Sequence, residues 1–143
     1  MENNNTVQID KVLYTAKTHT MGDRDGGTSQ SSDGILNLKF SVPGTGTGTN
    51  PEQLFAAGWS ACFIGAMKLA AGKLKVRFPA GTTVDTEVDL CLTDDKFSLQ
   101  ARLNVSLPGL DRELANSIVE AAHQICPYSK ATRGNINVDL NVV

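Results

Sequence analysis

The stretch Asn50–Leu69, NPEQLFAAGWSACFIGAMKL, limits this chain more than any other, because a helix built from it has no broad polar face to offer water. Its start is well marked. Asn50 is a favoured N-cap, Pro51 suits the first helical position, and Gln53 stands where a capping box wants Glu or Gln. The helix is predicted to run to about Ala71 or Gly72, with Trp59, Phe63 and Met67 among many apolar residues that need cover. A chain of 143 residues is one domain in size and rarely encloses such a helix alone. A homodimer, in which a second copy helps to cover the helix, is therefore expected.

Around this helix the pattern is of strands. Val7–Thr20 carries β-branched and aromatic residues, MGDRDGGTSQSSDG is a run of turn formers holding Arg24, and Ile35–Val42 alternates apolar with polar. Val84 to Leu92 and Phe97 to Leu107 alternate in the same way about a TDDK turn and predict a hairpin. A second helix starts at the N-cap Asp111 and is stopped by Pro127, and Ile136 to Val142 reads as a closing strand. The order of strands, helix, hairpin, helix and strand predicts a single α+β domain over residues 1–143.

Composition removes several classes of function. A net charge of −2 with scattered cations offers no field for nucleic acid. No stretch is read as a membrane span and MENNNTVQID lacks the features of a signal peptide, so a cytoplasmic protein without a membrane partner is expected. Three cysteines, Cys62, Cys91 and Cys126, lack the close spacing of a zinc site and the even number of a disulfide framework.

Chemistry must then come from the thiols or from nothing. Cys91 shares an outer strand face with Asp85, Glu87 and Asp89, where neighbouring carboxylates disfavour a thiolate. Cys62 and Cys126 lie on the two helices that should pack together, and for each taken alone packing is the better reading, since free cysteine is often buried. A reactive thiol needs a cation or donors close by. Arg24 in its glycine-rich loop is a candidate, beside the alternative of a solvated arginine; Glu52 in the first helical turn has the simple role of complementing the helix dipole. His123, three residues before Cys126, finds no third metal ligand at suitable spacing, and His19 carries no motif. GTGTGTNP lacks the Gly-Lys-Ser/Thr ending of a phosphate loop, and GWSAC has cysteine where a nucleophile elbow has its second glycine.

NPEQLFAAGWSACFIGAMK, AAHQICPYSKATRGNI, LPGLDRE and the R-D-G loop at Arg24 together resemble the organic hydroperoxide resistance (Ohr) proteins of the Ohr/OsmC superfamily, from about Val12 onward. The resemblance implies antiparallel sheets packed around two core helices in an intertwined homodimer. It implies a thiol peroxidase that reduces alkyl and lipid hydroperoxides, with Cys62 as peroxidatic cysteine, Cys126 as resolving cysteine, Arg24 as activator of the thiolate and Glu52 as the group that positions Arg24. It implies a lipoylated protein or dihydrolipoamide as reductant and no metal, haem or flavin cofactor. Trp59 stands where the family usually has another aromatic residue, often tyrosine. Two alternatives remain at this stage: an OsmC-type stress peroxidase of broader specificity, and a non-enzymatic domain that binds a hydrophobic ligand.

Spacing adds one expectation. Glu52 and Cys62 are separated by about 15 Å along a helix axis that rises roughly 1.5 Å per residue, so one chain does not easily place both at one thiol. Glu52 and Arg24 are expected to serve the Cys62 of a partner chain.

Overall fold

The computed structural model describes residues 7–143, which divide into two compact units, one ending at Asn50 and the other spanning Pro51–Val143. In the first unit β1 (Thr18–Met21), β2 (Thr28–Ser31) and β3 (Asn37–Lys39) form an antiparallel sheet in that order. Three expectations change here. The strand predicted over Val7–Thr20 pairs only from Thr18 onward, and Val7, Ile9, Val12, Leu13 and Tyr14 before it are all exposed. The run read as turn formers holds β2, whose Thr-Ser-Gln-Ser sequence looks like a loop by composition; a 2.9 Å hydrogen bond between the hydroxyls of Thr20 and Ser29 helps to pair it with β1. The expected strand over Ile35–Val42 shrinks to β3 and a bridge from Phe40 to Thr49; of its expected inward face, Leu36, Leu38 and Phe40 are covered but Val42 is exposed.

The second unit is built on α1 (Pro51–Lys73), followed by β4 (Thr83–Thr93), β5 (Lys96–Ser106), α2 (Arg112–Ile125), α3 (Pro127–Thr132) and β6 (Asn137–Val142). The β4–β5 hairpin closes through Asp94 and Asp95, both at positive φ (49° and 61°) between the paired Thr93 and Lys96. That is the two-residue turn whose twist matches a hairpin, and aspartate is among the few non-glycine residues that tolerate it. The predicted antiparallel sheet requires a correction. β6 pairs with β5 in parallel, because α2 and α3 carry the chain from the end of β5 back to its start, the geometry of a βαβ crossover.

Trp59, Phe63, Ala66, Met67 and Ala70 recur at helical spacing and turn one face of α1 into the core. There they meet Ala101, Leu103 and Val105 of β5 and Ala115, Ile118, Val119 and Ala122 of α2. Ser60 makes the polar exception tolerable: its hydroxyl donates to the Ala56 carbonyl oxygen and lies 2.7 Å from the Thr86 hydroxyl on β4. The opposite side of α1 is bare. Ala57, Ala61, Gly65, Leu69 and Gly72 are exposed there, Leu69 by 60%. By length and composition α1 also meets the requirement for a membrane span, which corrects the reading that no stretch does; its packed face is that of a core helix.

Candidate dithiol site

The joint between α2 and α3 is made by one residue. Pro127 cannot continue α2, so Cys126 takes an extended conformation (φ −63°, ψ 122°) and serves at once as C-cap of α2 and N-cap of α3. Its own N–H still reaches the Ala122 carbonyl oxygen at 2.8 Å, and its side chain points into the core with no exposed surface. Cys62 lies midway along α1, one turn after Trp59, at the edge between the packed face and the bare one.

The two thiols meet. Cys126 Sγ donates to Cys62 Sγ at 3.4 Å, and both cysteines are reduced. Burial pushes the Cys62 thiol above its ordinary value; the hydrogen bond from Cys126 adds to this, and the Tyr128 backbone N–H pulls the other way. Since Pro127 has no N–H, the Tyr128 amide is the first donor available at the start of α3, and it faces Cys62.

An aromatic wall stands beside this pair. The Phe55 ring meets Trp59 edge-on with centroids 5.6 Å apart and Tyr128 with centroids 6.1 Å apart. Gly58 permits that approach, because a Cβ there would lie 3.0 Å from Tyr128 Oη. Trp59 Nε1 donates to the buried Ser129 Oγ at 3.3 Å, linking α1 to α3. The site therefore holds two thiols in hydrogen-bond contact, which must approach to about 2 Å to form a disulfide.

Of the four residues singled out in the sequence, Cys62 and Cys126 are brought together in the second unit. Glu52 is half-buried in the first turn of α1 and remains about 15 Å from Cys62 along the axis. Arg24 belongs to the first unit, at an exposed turn between β1 and β2. The turn is tightly specified: Asp23 accepts the Asp25 N–H on its side chain at 2.9 Å and the Gly27 N–H on its backbone at 3.0 Å, and a Cβ on Gly27 would lie 2.3 Å from the Asp23 carbonyl oxygen. Sequence reasoning missed α3, Tyr128 and Ser129. Pro127 was the available signal, since proline is as apt to begin a helix as to end one.

His123 sits one turn before Cys126, and Arg133 donates to its carbonyl oxygen. Burial, helped by the Arg133 charge, lowers its pKa, and Nδ1 is buried without a hydrogen-bond partner.

Comparison with known proteins now adds identity to geometry. Residues 44–141, which include both cysteines, match the model of the OsmC-like protein family. The chain belongs to the OsmC/Ohr family. Within it, the chain is 45% identical to the organic hydroperoxide resistance protein of Xanthomonas axonopodis pv. citri, over 93% of this chain and 96% of that one. It is 42% identical to the organic hydroperoxide resistance protein OhrB of Bacillus subtilis, over 92% of this chain and 98% of that one. The crystal structure of that OhrB superposes with a TM-score of 0.86, covering 92% of this chain and all of the other (100%). The α+β architecture is thus that of Ohr/OsmC structures.

Proposed function

We propose that this protein is a cysteine-based peroxidase that reduces organic hydroperoxides to alcohols. The observation that carries the reading is the reduced Cys62–Cys126 pair at 3.4 Å, held at a proline-made helix joint in a chain of the OsmC/Ohr family. The relatives named organic hydroperoxide resistance proteins supply the substrate class. The Cys62 thiolate attacks the terminal oxygen of ROOH, the O–O bond breaks, and ROH leaves with a sulfenic acid on Cys62. Cys126 then attacks that sulfur; water leaves and a disulfide forms. A dithiol, a lipoyl group in this reading, reduces the disulfide. The rings of Phe55 and Tyr128, which are not fully buried, favour alkyl and lipid hydroperoxides over hydrogen peroxide.

The raised Cys62 thiol needs a cation or further hydrogen-bond donors to ionise near neutral pH. Arg24 is the cation assigned to that task, with Glu52 holding it, and the helix spacing favours the Cys62 of a second copy for both. A homodimer also accounts for the apolar surface left uncovered: Ala57, Ala61, Gly65 and Leu69 on α1, and Leu92 and Phe97 at the hairpin tip, Phe97 being 76% exposed. The protein is placed in the cytoplasm, whose reducing thiols suit a dithiol that must be reset.

Turnover of tert-butyl hydroperoxide and hydrogen peroxide with dihydrolipoamide tests the reading. The organic substrate is expected to be much the faster, and Cys62→Ser to abolish turnover of both. Equal rates would favour a broader stress peroxidase. Full activity in Cys62→Ser would refute a thiol mechanism.

A further inference from the structure

α1 and the α2–α3 joint touch at two points that mirror each other. Cys62 meets Cys126 at 3.4 Å, and Trp59, three residues earlier on α1, meets Ser129, three residues later on α3, at 3.3 Å. The two segments therefore cross antiparallel with matching one-turn spacing. Trp59 and Ser129 are both fully buried, and the Trp59–Ser129 bond spans 70 residues of sequence. Ser129 lies within α3, a helix of only six residues that has little rigidity of its own.

We propose that Trp59 and Ser129 are positioning residues for disulfide formation: their hydrogen bond fixes the register of the joint, so that Cys126 stays aimed at Cys62 when the sulfenic acid appears. The inference deepens the peroxidase reading and rests on it for its place in the cycle. The step it serves is attack of the Cys126 sulfur on the Cys62 sulfenic sulfur, with the S–O bond breaking and hydroxide leaving as water with the thiol proton. Cutting the bond leaves each thiol intact but lets the joint sample other orientations. Because the bond is buried, water cannot replace it, and Trp59 Nε1 is left without an acceptor in Ser129→Ala.

Two quantities read the effect. The first is the equilibrium between the dithiol and the Cys62–Cys126 disulfide in a dithiothreitol redox buffer, which requires no peroxidase activity. In Ser129→Ala the effective concentration of Cys126 toward Cys62 is expected to fall about tenfold, as for a lost buried hydrogen bond. The second is the fate of Cys62 under excess organic hydroperoxide, scored by mass. The share reaching sulfinic acid should rise in Ser129→Ala while the rate of the first oxidation stays that of the natural chain. Trp59→Phe removes the donor and should act in the same direction, and the double variant should add less than the sum of the two.

Val105→Ala is the control, since it removes packing from the shared core on β5 without touching the Trp59–Ser129 hydrogen bond. It should lower the melting temperature without moving the disulfide equilibrium. An unchanged equilibrium in folded Ser129→Ala overturns the proposal, and so does an equal shift in Val105→Ala. If Ser129→Ala does not fold, Trp59→Phe decides by the same two outcomes. Failure of the peroxidase reading looks different: the natural chain would form the disulfide in redox buffer but not with hydroperoxide.

Discussion

Two regions of this protein hold a cysteine in partly covered surroundings, and they differ in what lies opposite the sulfur. At the helix joint Cys62 faces a second thiol and a backbone N–H at the start of α3, in a setting lined by aromatic rings. On the sheet, Cys91 stands across from Ser98 and its thiol donates to the Asp89 carbonyl oxygen at 3.8 Å. Its neighbours there are an ionic lattice in which Arg102 bonds Asp89 and Glu87 and Gln100 bonds Asp89. The same side chain meets a second thiol in one place and, among the described residues, a backbone carbonyl oxygen in the other. What distinguishes them is a proline that breaks a helix at the right residue, not the cysteine itself.

The largest break in that comparison comes from the thiols. Cys62→Ser should lower hydroperoxide turnover by about a thousandfold or more, while Cys91→Ser leaves it unchanged; comparable losses in both would erase the distinction. Cys126→Ser should reduce about one equivalent of hydroperoxide per chain and then stall with Cys62 over-oxidised, which stopped-flow and mass measurements would separate from a simple loss of rate.

A smaller effect sharpens the contrast between the covered and bare sides of α1. Added to Gly65, a methyl group meets nothing within the chain, so in a lone protomer Gly65→Ala should stabilise the helix by about 1 kcal/mol. With a second copy packed on that face, the same methyl should raise the dimer dissociation constant about tenfold, and activity should fall with concentration accordingly. Sedimentation across a dilution series reads the outcome; a stabilised chain with unaltered self-association would count against the dimer.

The smallest effect is the dependence on pH. His123 is held below its ordinary value of 6.5, so the folded chain binds its proton less tightly than the unfolded chain. Its contribution is present above that value and is lost as pH falls through it. Melting temperature should therefore decline somewhat between about pH 7 and pH 5, with a shallower slope in His123→Gln. An unchanged slope would assign the decline to other groups.

Legibility in the sequence followed the strength of local patterns. α1 and α2 were readable because cap residues and apolar spacing agree, and the TDDK hairpin because alternation on both sides fixes its register. β2 was missed because serine and threonine make a polar strand look like a loop. The parallel pairing of β6 was missed because alternation reports which face is buried and not which way a neighbour runs. At the site, periodicity alone left Cys62 as packing; family resemblance implied its pairing with Cys126, and the structure sets the two sulfurs 3.4 Å apart. Ser129 and the Tyr128 amide were invisible, since a hydrogen bond across 70 residues leaves no local trace.

The central claim is that the helix joint makes a redox couple of Cys62 and Cys126 while leaving Cys91 aside. Intact-protein mass spectrometry after one equivalent of an organic hydroperoxide tests it most directly. The account predicts a loss of two hydrogens, mapped by peptide digestion to a Cys62–Cys126 disulfide with Cys91 still reduced. An unchanged mass, or a disulfide that includes Cys91, would contradict it.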